Sequence, residues 1–78
     1  MVSPMSGDIP HLLALAEERV ARSEVHLQQQ REIVATLRRL GRDTIDAEAM
    51  LTEFARTQAG FIDARDQLRE ELEQIATR

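Results

Sequence analysis

Arg38, Arg39 and Arg42 form the densest basic cluster of the chain, and guanidinium groups set this close could hold a phosphate or a nucleic-acid backbone. Helix chemistry offers a plainer explanation. Cations in the last turn of a helix complement its unpaired carbonyls, and Asp43, Asp46 and Glu48 follow at once to neutralise the field. The nearby acids favour this second explanation, which leaves the three arginines as an anion contact of lesser weight.

Other residues that could do chemistry are wrongly spaced for it. His11 and His26 are fifteen residues apart, whereas a zinc-binding helix places its histidines at i and i+4. No Glu-x-x-His pair is present, which excludes the usual di-iron bundle. Read as a calcium loop from Asp43, "DTIDAEAMLTEF" puts Phe54 at the twelfth position, where a bidentate acid is needed, and lacks the central glycine. There is no cysteine, no Ser–His–Asp arrangement and no glycine-rich phosphate loop. Glu70, Glu71 and Glu73, with Arg69 among them, read as a solvated helix face. The sequence therefore assigns no catalytic residue, no metal and no cofactor, and the protein is read as not an enzyme.

The elements carrying these residues are helices. Seventy-eight residues allow one small domain. Its long uninterrupted stretches are rich in Ala, Leu, Glu, Gln and Arg, all good helix formers. A first helix is expected over about 9–40, started by Asp8 as N-cap with Pro10 in the first turn, and ended by Gly41. A turn at 41–43 and a cap by Asp43 or Thr44 lead into a second helix over about 44–76. Residues 1–7 read as a disordered tail, and 8–78 as a single helical hairpin. Two helices of about 50 Å joined by so short a turn must fold back on each other.

Apolar spacing sharpens this all-α, coiled-coil-like hairpin. Ile9, Leu13, Ala16, Val20, Ser23, Leu27, Gln30, Val34 and Leu37 alternate by fours and threes. So do Ala47, Leu51, Phe54, Gln58, Phe61, Arg65, Leu68, Leu72 and Ile75. Fourteen of these eighteen positions are apolar, the 3.5-residue repeat of left-handed coiled-coil packing. Pairing residues whose numbers sum to 88 sets polar against polar, Gln30 with Gln58 and Ser23 with Arg65. Sums of 84 or 85 would set Gln30 on Phe54 and Val20 on Arg65, so 88 is the expected register. The four polar seam residues, Ser23, Gln30, Gln58 and Arg65, are read as setting register and oligomeric state. The alternative is an anion pocket inside the bundle anchored by Arg65.

Beyond the seam, Leu12, Leu15, Ile33 and Leu40 widen the apolar stripe of the first helix, and Met50, Ala55, Ala59 and Ile62 that of the second. A single narrow seam rarely offsets the roughly 1.5 kcal/mol per residue of ordering entropy. The expected solution is a homodimer closing into a four-helix bundle, with Leu12, Ile33, Leu40, Met50, Ala55 and Ile62 as its flank. Gly60, with Ala55, Ala59 and Ala64 near it, is either a point of close helix approach or a tolerated surface glycine.

Charge and composition narrow the partners. A net charge of −4 argues against nonspecific binding to nucleic acid or anionic membrane, and two phenylalanines as the sole aromatics leave little for base stacking. All ten basic residues are arginine, which suits carboxylate or phosphate recognition and equally the codon usage of a GC-rich genome. "MVSPMSGD" has neither the basic nor the apolar region of a secretory signal, and no apolar run approaches membrane-spanning length, so a cytoplasmic location is expected.

The segments "QREIVATL", "GRDTIDAEAMLTEFARTQ" and "ARDQLREEL" resemble a group of short uncharacterised helical proteins frequent in rhizobia-like alphaproteobacteria. The resemblance runs from about Val20 to Leu72 and is carried by residues such as Gln30, Ile33, Gly41, Asp43, Phe54, Gln58 and Arg65. It implies a bacterial cytoplasmic protein and transfers no functional residues. The expected function is a non-enzymatic protein–protein interaction or scaffolding module acting as a homodimer. The alternatives are a small helical-bundle enzyme or anion-binding protein built on Arg65, comparable in size with chorismate mutases, and a nucleic-acid regulator using Arg38, Arg39 and Arg42.

Overall fold

The computed structural model describes residues 8–77. The tail expected over 1–7 lies outside the described residues. Two helices, α1 (Ile9–Arg39) and α2 (Ile45–Ala76), pack against each other as an all-α antiparallel pair, with no strand among the described residues.

The reversal between them follows from local chemistry. Gly41 takes the left-handed conformation (φ 68°), which costs glycine little because it has no Cβ. Its N–H donates to the Arg38 carbonyl (3.0 Å), and that of Arg42 donates to the Leu37 carbonyl (2.8 Å). This pair of bonds is the Schellman motif, and it satisfies carbonyls that the helix end would otherwise strand. On the far side, Asp43 Oδ1 accepts from the Ile45 N–H at 2.9 Å, and the Thr44 carbonyl accepts from Glu48 (2.8 Å). The cap of α2 is thus shared: Thr44 holds the N-cap position with its backbone, and Asp43 supplies the side-chain acceptor. Asp8 likewise caps α1 through its carbonyl, to Leu12 N–H at 2.8 Å, and its carboxylate makes no capping bond.

The buried set is the expected seam. Ala16, Val20, Ser23, Leu27, Gln30 and Val34 of α1 are buried, with Ile9, Leu13 and Leu37 half-buried. On α2 the half-buried residues include Ala47, Leu51, Phe54, Gln58, Phe61, Arg65, Leu68 and Leu72. No residue of α2 is fully enclosed, and Leu27 is the one large side chain that is among the described residues. A pair of helices has only one mutual contact line, so most of each helix stays wet. The chain presents 6140 Å² of accessible surface, against about 4800 Å² for a compact protein of its mass.

The register differs from the expected one. Cross-helix contacts join Gln30 to Ala47, His26 to Phe54, Glu24 to Gln58, Glu17 to Arg69 and Arg38 to Glu48. Their residue numbers sum to between 77 and 86, bracketing 81 and never reaching 88. Ile75, which a sum of 88 would set against Leu13, is 50% exposed. Sliding one helix by seven residues leaves the same side chains on the seam, so the heptad pattern cannot separate 88 from 81. Partner choice by the polar residues decides it: none of the four bonds to another of the four.

Candidate functional site

The geometry disperses the four polar seam residues. The Ser23 hydroxyl donates back to the Val20 carbonyl at 2.7 Å, within its own helix. Gln30, only 4% exposed, donates from Nε2 to the Ala47 carbonyl of α2 at 2.9 Å. Gln58 Nε2 donates to Glu24 Oε1 at 2.6 Å, and the Arg65 guanidinium, 22% exposed, lies on neighbouring Asp66 at 3.0–3.1 Å. Neither the Gln30–Gln58 nor the Ser23–Arg65 layer forms. Among the described residues no buried side-chain nitrogen or oxygen lacks a hydrogen-bond partner, so none is left aimed at a ligand. An anion pocket around Arg65 has no enclosed, unneutralised charge to build on.

Two of the three arginines at the turn are similarly engaged, Arg42 making no side-chain bond among the described residues. Arg38 pairs with Glu48 across the reversal, and Arg39 reaches Thr36 Oγ1 at 3.4 Å. Among the described residues no group of three His, Asp or Glu side chains is placed to hold a metal ion. No described helix is long and apolar enough to cross a membrane.

What the structure brings together instead is a division of the hairpin into two unlike faces. Beside the seam, α1 carries one row at heptad spacing with Glu17, Glu24, Arg31 and Arg38, and α2 carries a matching row with Glu48, Ala55, Ile62 and Arg69. Cross-helix polar contacts run along this side: Arg69 to Glu17 at 3.0 Å, Gln58 to Glu24, and Arg38 to Glu48.

The rows on the other side are Leu12, Arg19, His26 and Ile33 of α1 with Leu40 just past its end, and Met50, Thr57, Ala64 and Glu71 of α2. No cross-helix ion pair joins them among the described residues. Midway along this face a groove of about 230 Å³ opens, floored by Phe54 and Phe61 and rimmed by Arg19, Arg22, His26 and Thr57. The His26 and Phe54 rings are 6.2 Å apart and tilted by 40°. Arg22 is held at 2.6 Å by Glu18 of its own helix. Ile33 (48% exposed), Leu40 (64%) and Met50 (53%) lie towards the turn, and Leu15 (38%) towards the open end.

The flank expected from sequence is therefore split. Leu12, Ile33, Leu40 and Met50 share the grooved face, whereas Ala55 and Ile62 stand in the row that carries Glu48 and Arg69. Gly60 is exposed, and a Cβ built on it would meet nothing within 4 Å, so the chain's own helices do not approach there. The groove is the feature that sequence reading missed. Its signal was present in the heptad row Leu12–Arg19–His26–Ile33–Leu40, which keeps its spacing through two polar residues.

No family model, no curated protein and no solved structure matches this chain.

Proposed function

We propose that this protein is a non-enzymatic protein–protein interaction or scaffolding module that acts as a homodimer of helical hairpins, closing into a four-helix bundle in a bacterial cytoplasm. The observation that carries the reading is the exposure of large apolar side chains on a hairpin with so small a core. Four buried apolar residues among those described, Ala16, Val20, Leu27 and Val34, with a half-buried rim, are little to set against the ordering of seventy residues. A second layer of helices supplies the missing burial. Scaffolding suits such an object, because a rigid rod with charged ends and outer faces presents attachment points at fixed separation and requires no reaction centre.

Light scattering on the full chain tests the association directly. A solution mass twice the 8.9 kDa of the chain is expected, and a stable 8.9 kDa species would reject the reading. Capture of the tagged dimer from its native cell then identifies what it scaffolds. Recovery of the same partner by a variant that no longer dimerises would show that the homodimer is not the working form.

A further inference from the structure

Resting on that homodimeric reading, we infer which face the second copy covers: the grooved face bearing Ile33, Leu40 and Met50, with the Glu17–Arg69 face left in water.

Three observations carry the assignment. The first is the distribution of apolar exposure. Among the described residues seven large apolar side chains are more than a third exposed: Leu15, Val25, Ile33, Leu40, Ile45, Met50 and Ile75. Helical spacing places Leu15, Ile33, Leu40 and Met50 on the grooved side, and Ile75 on the seam line beyond the start of α1. Only Val25 and Ile45 point elsewhere. The opposite face offers just Ala55 and half-buried Ile62 between its charged residues.

The second observation is electrostatic. Covering the Glu17–Arg69 face would strip water from Glu17, Glu24, Arg38, Glu48 and Arg69 together, and desolvating ion pairs costs several kcal/mol per charge. Covering the grooved face meets fewer, namely Arg19, Arg22 and Glu71. Arg22 already pairs with Glu18, and the aliphatic stems of Arg19 and Arg22 can lie on the apolar floor while their heads reach the rim.

The third is the amount of burial needed. A stable homodimer interface covers about 800 Å² or more per partner. The grooved face runs from Leu12 to Leu40, about 40 Å of helix, a length over which two copies can meet. A second copy fits it better than an unrelated helix does. The groove lies near mid-length, so either two-fold arrangement sets groove against groove.

The chain has no cysteine, so single-cysteine variants report on individual positions without other changes. Nitroxide labels are placed at Ile33→Cys and Met50→Cys on the grooved face, and at Arg31→Cys and Ala55→Cys on the other, in the full chain. Light scattering is recorded on each. The expected result is a dimer in which labels at 33 and 50 collide with a nickel chelate several-fold less often than those at 31 and 55. A dimer whose labels at 33 and 50 are as accessible as those at 31 and 55 overturns the face assignment and leaves the homodimer standing. A monomer with all four labels accessible overturns both. In a second arm, Ile33→Glu/Met50→Glu weakens association by about two orders of magnitude, while Val25→Glu/Ile45→Glu leaves it unchanged. Equal weakening by the two pairs would also overturn the assignment.

Discussion

Gln30 of α1, buried among apolar side chains, donates a 2.9 Å hydrogen bond to the carbonyl of Ala47 in the first turn of α2. No other buried side chain is bonded to the backbone of the opposite helix among the described residues. It pins α2 both along and around its axis, which apolar layers alone do weakly because leucine-like side chains tolerate sliding.

Gln30→Ala removes this bond and leaves a void, and is expected to cost about 2 kcal/mol in urea unfolding. Gln30→Leu fills the space, and the Ala47 carbonyl keeps its partner within α2, so its cost should stay below about 1 kcal/mol. Equal losses in the two variants would show that the hydrogen bond, not the filled volume, holds the helices together.

Leu27 is 1% exposed, the most enclosed large side chain. Truncation in Leu27→Ala should destabilise by about 3 kcal/mol, through lost burial and the cavity left behind. Val25→Ala, two residues away but 55% exposed, should change stability by less than about 0.5 kcal/mol. Thermal or urea unfolding of the pair separates seam from surface.

The two glycines within the described residues should respond with opposite signs. Gly41→Ala forces a Cβ into the left-handed region at φ 68° and should cost about 1 kcal/mol. Gly60→Ala adds a methyl in open space on a helix and should stabilise by about 0.5–1 kcal/mol. A loss at Gly60 accompanied by weaker association would place a partner helix against it.

Arg69 and Glu17 are each about half exposed at 3.0 Å separation. Arg69→Ala is expected to alter stability by less than about 1 kcal/mol, and less still in high salt. A larger loss would mean that water is excluded from this face, and the side assigned to solvent would be wrong.

Much of the fold is legible in the residues themselves. The heptad spacing picks out every buried position of α1, because a 3.5-residue repeat can face only one way on a helix. The reversal is legible because Gly41 follows a run of good helix formers and Asp43 and Thr44 precede another. Register is not, since a seven-residue slide preserves the seam, and the choice rests on Gln30 reaching a backbone carbonyl that no side-chain pattern displays. The sidedness of the flank does not depend on that register, since a seven-residue slide leaves each flanking row on its own side of the seam. Ala55 and Ile62 directly follow seam residues whereas Met50 precedes one by four, so their split is legible too. The Glu17–Arg69 and Arg38–Glu48 pairs show which side is polar.

The most direct test of the central claim, that folding is completed by association, is the urea midpoint measured over a wide range of chain concentration. A dimer that unfolds to two separate chains gains stability with concentration, so the midpoint should rise steadily between about 5 and 500 µM. A midpoint that stays fixed across that range, with a single cooperative transition, would show that the hairpin is stable as a monomer and would contradict the account.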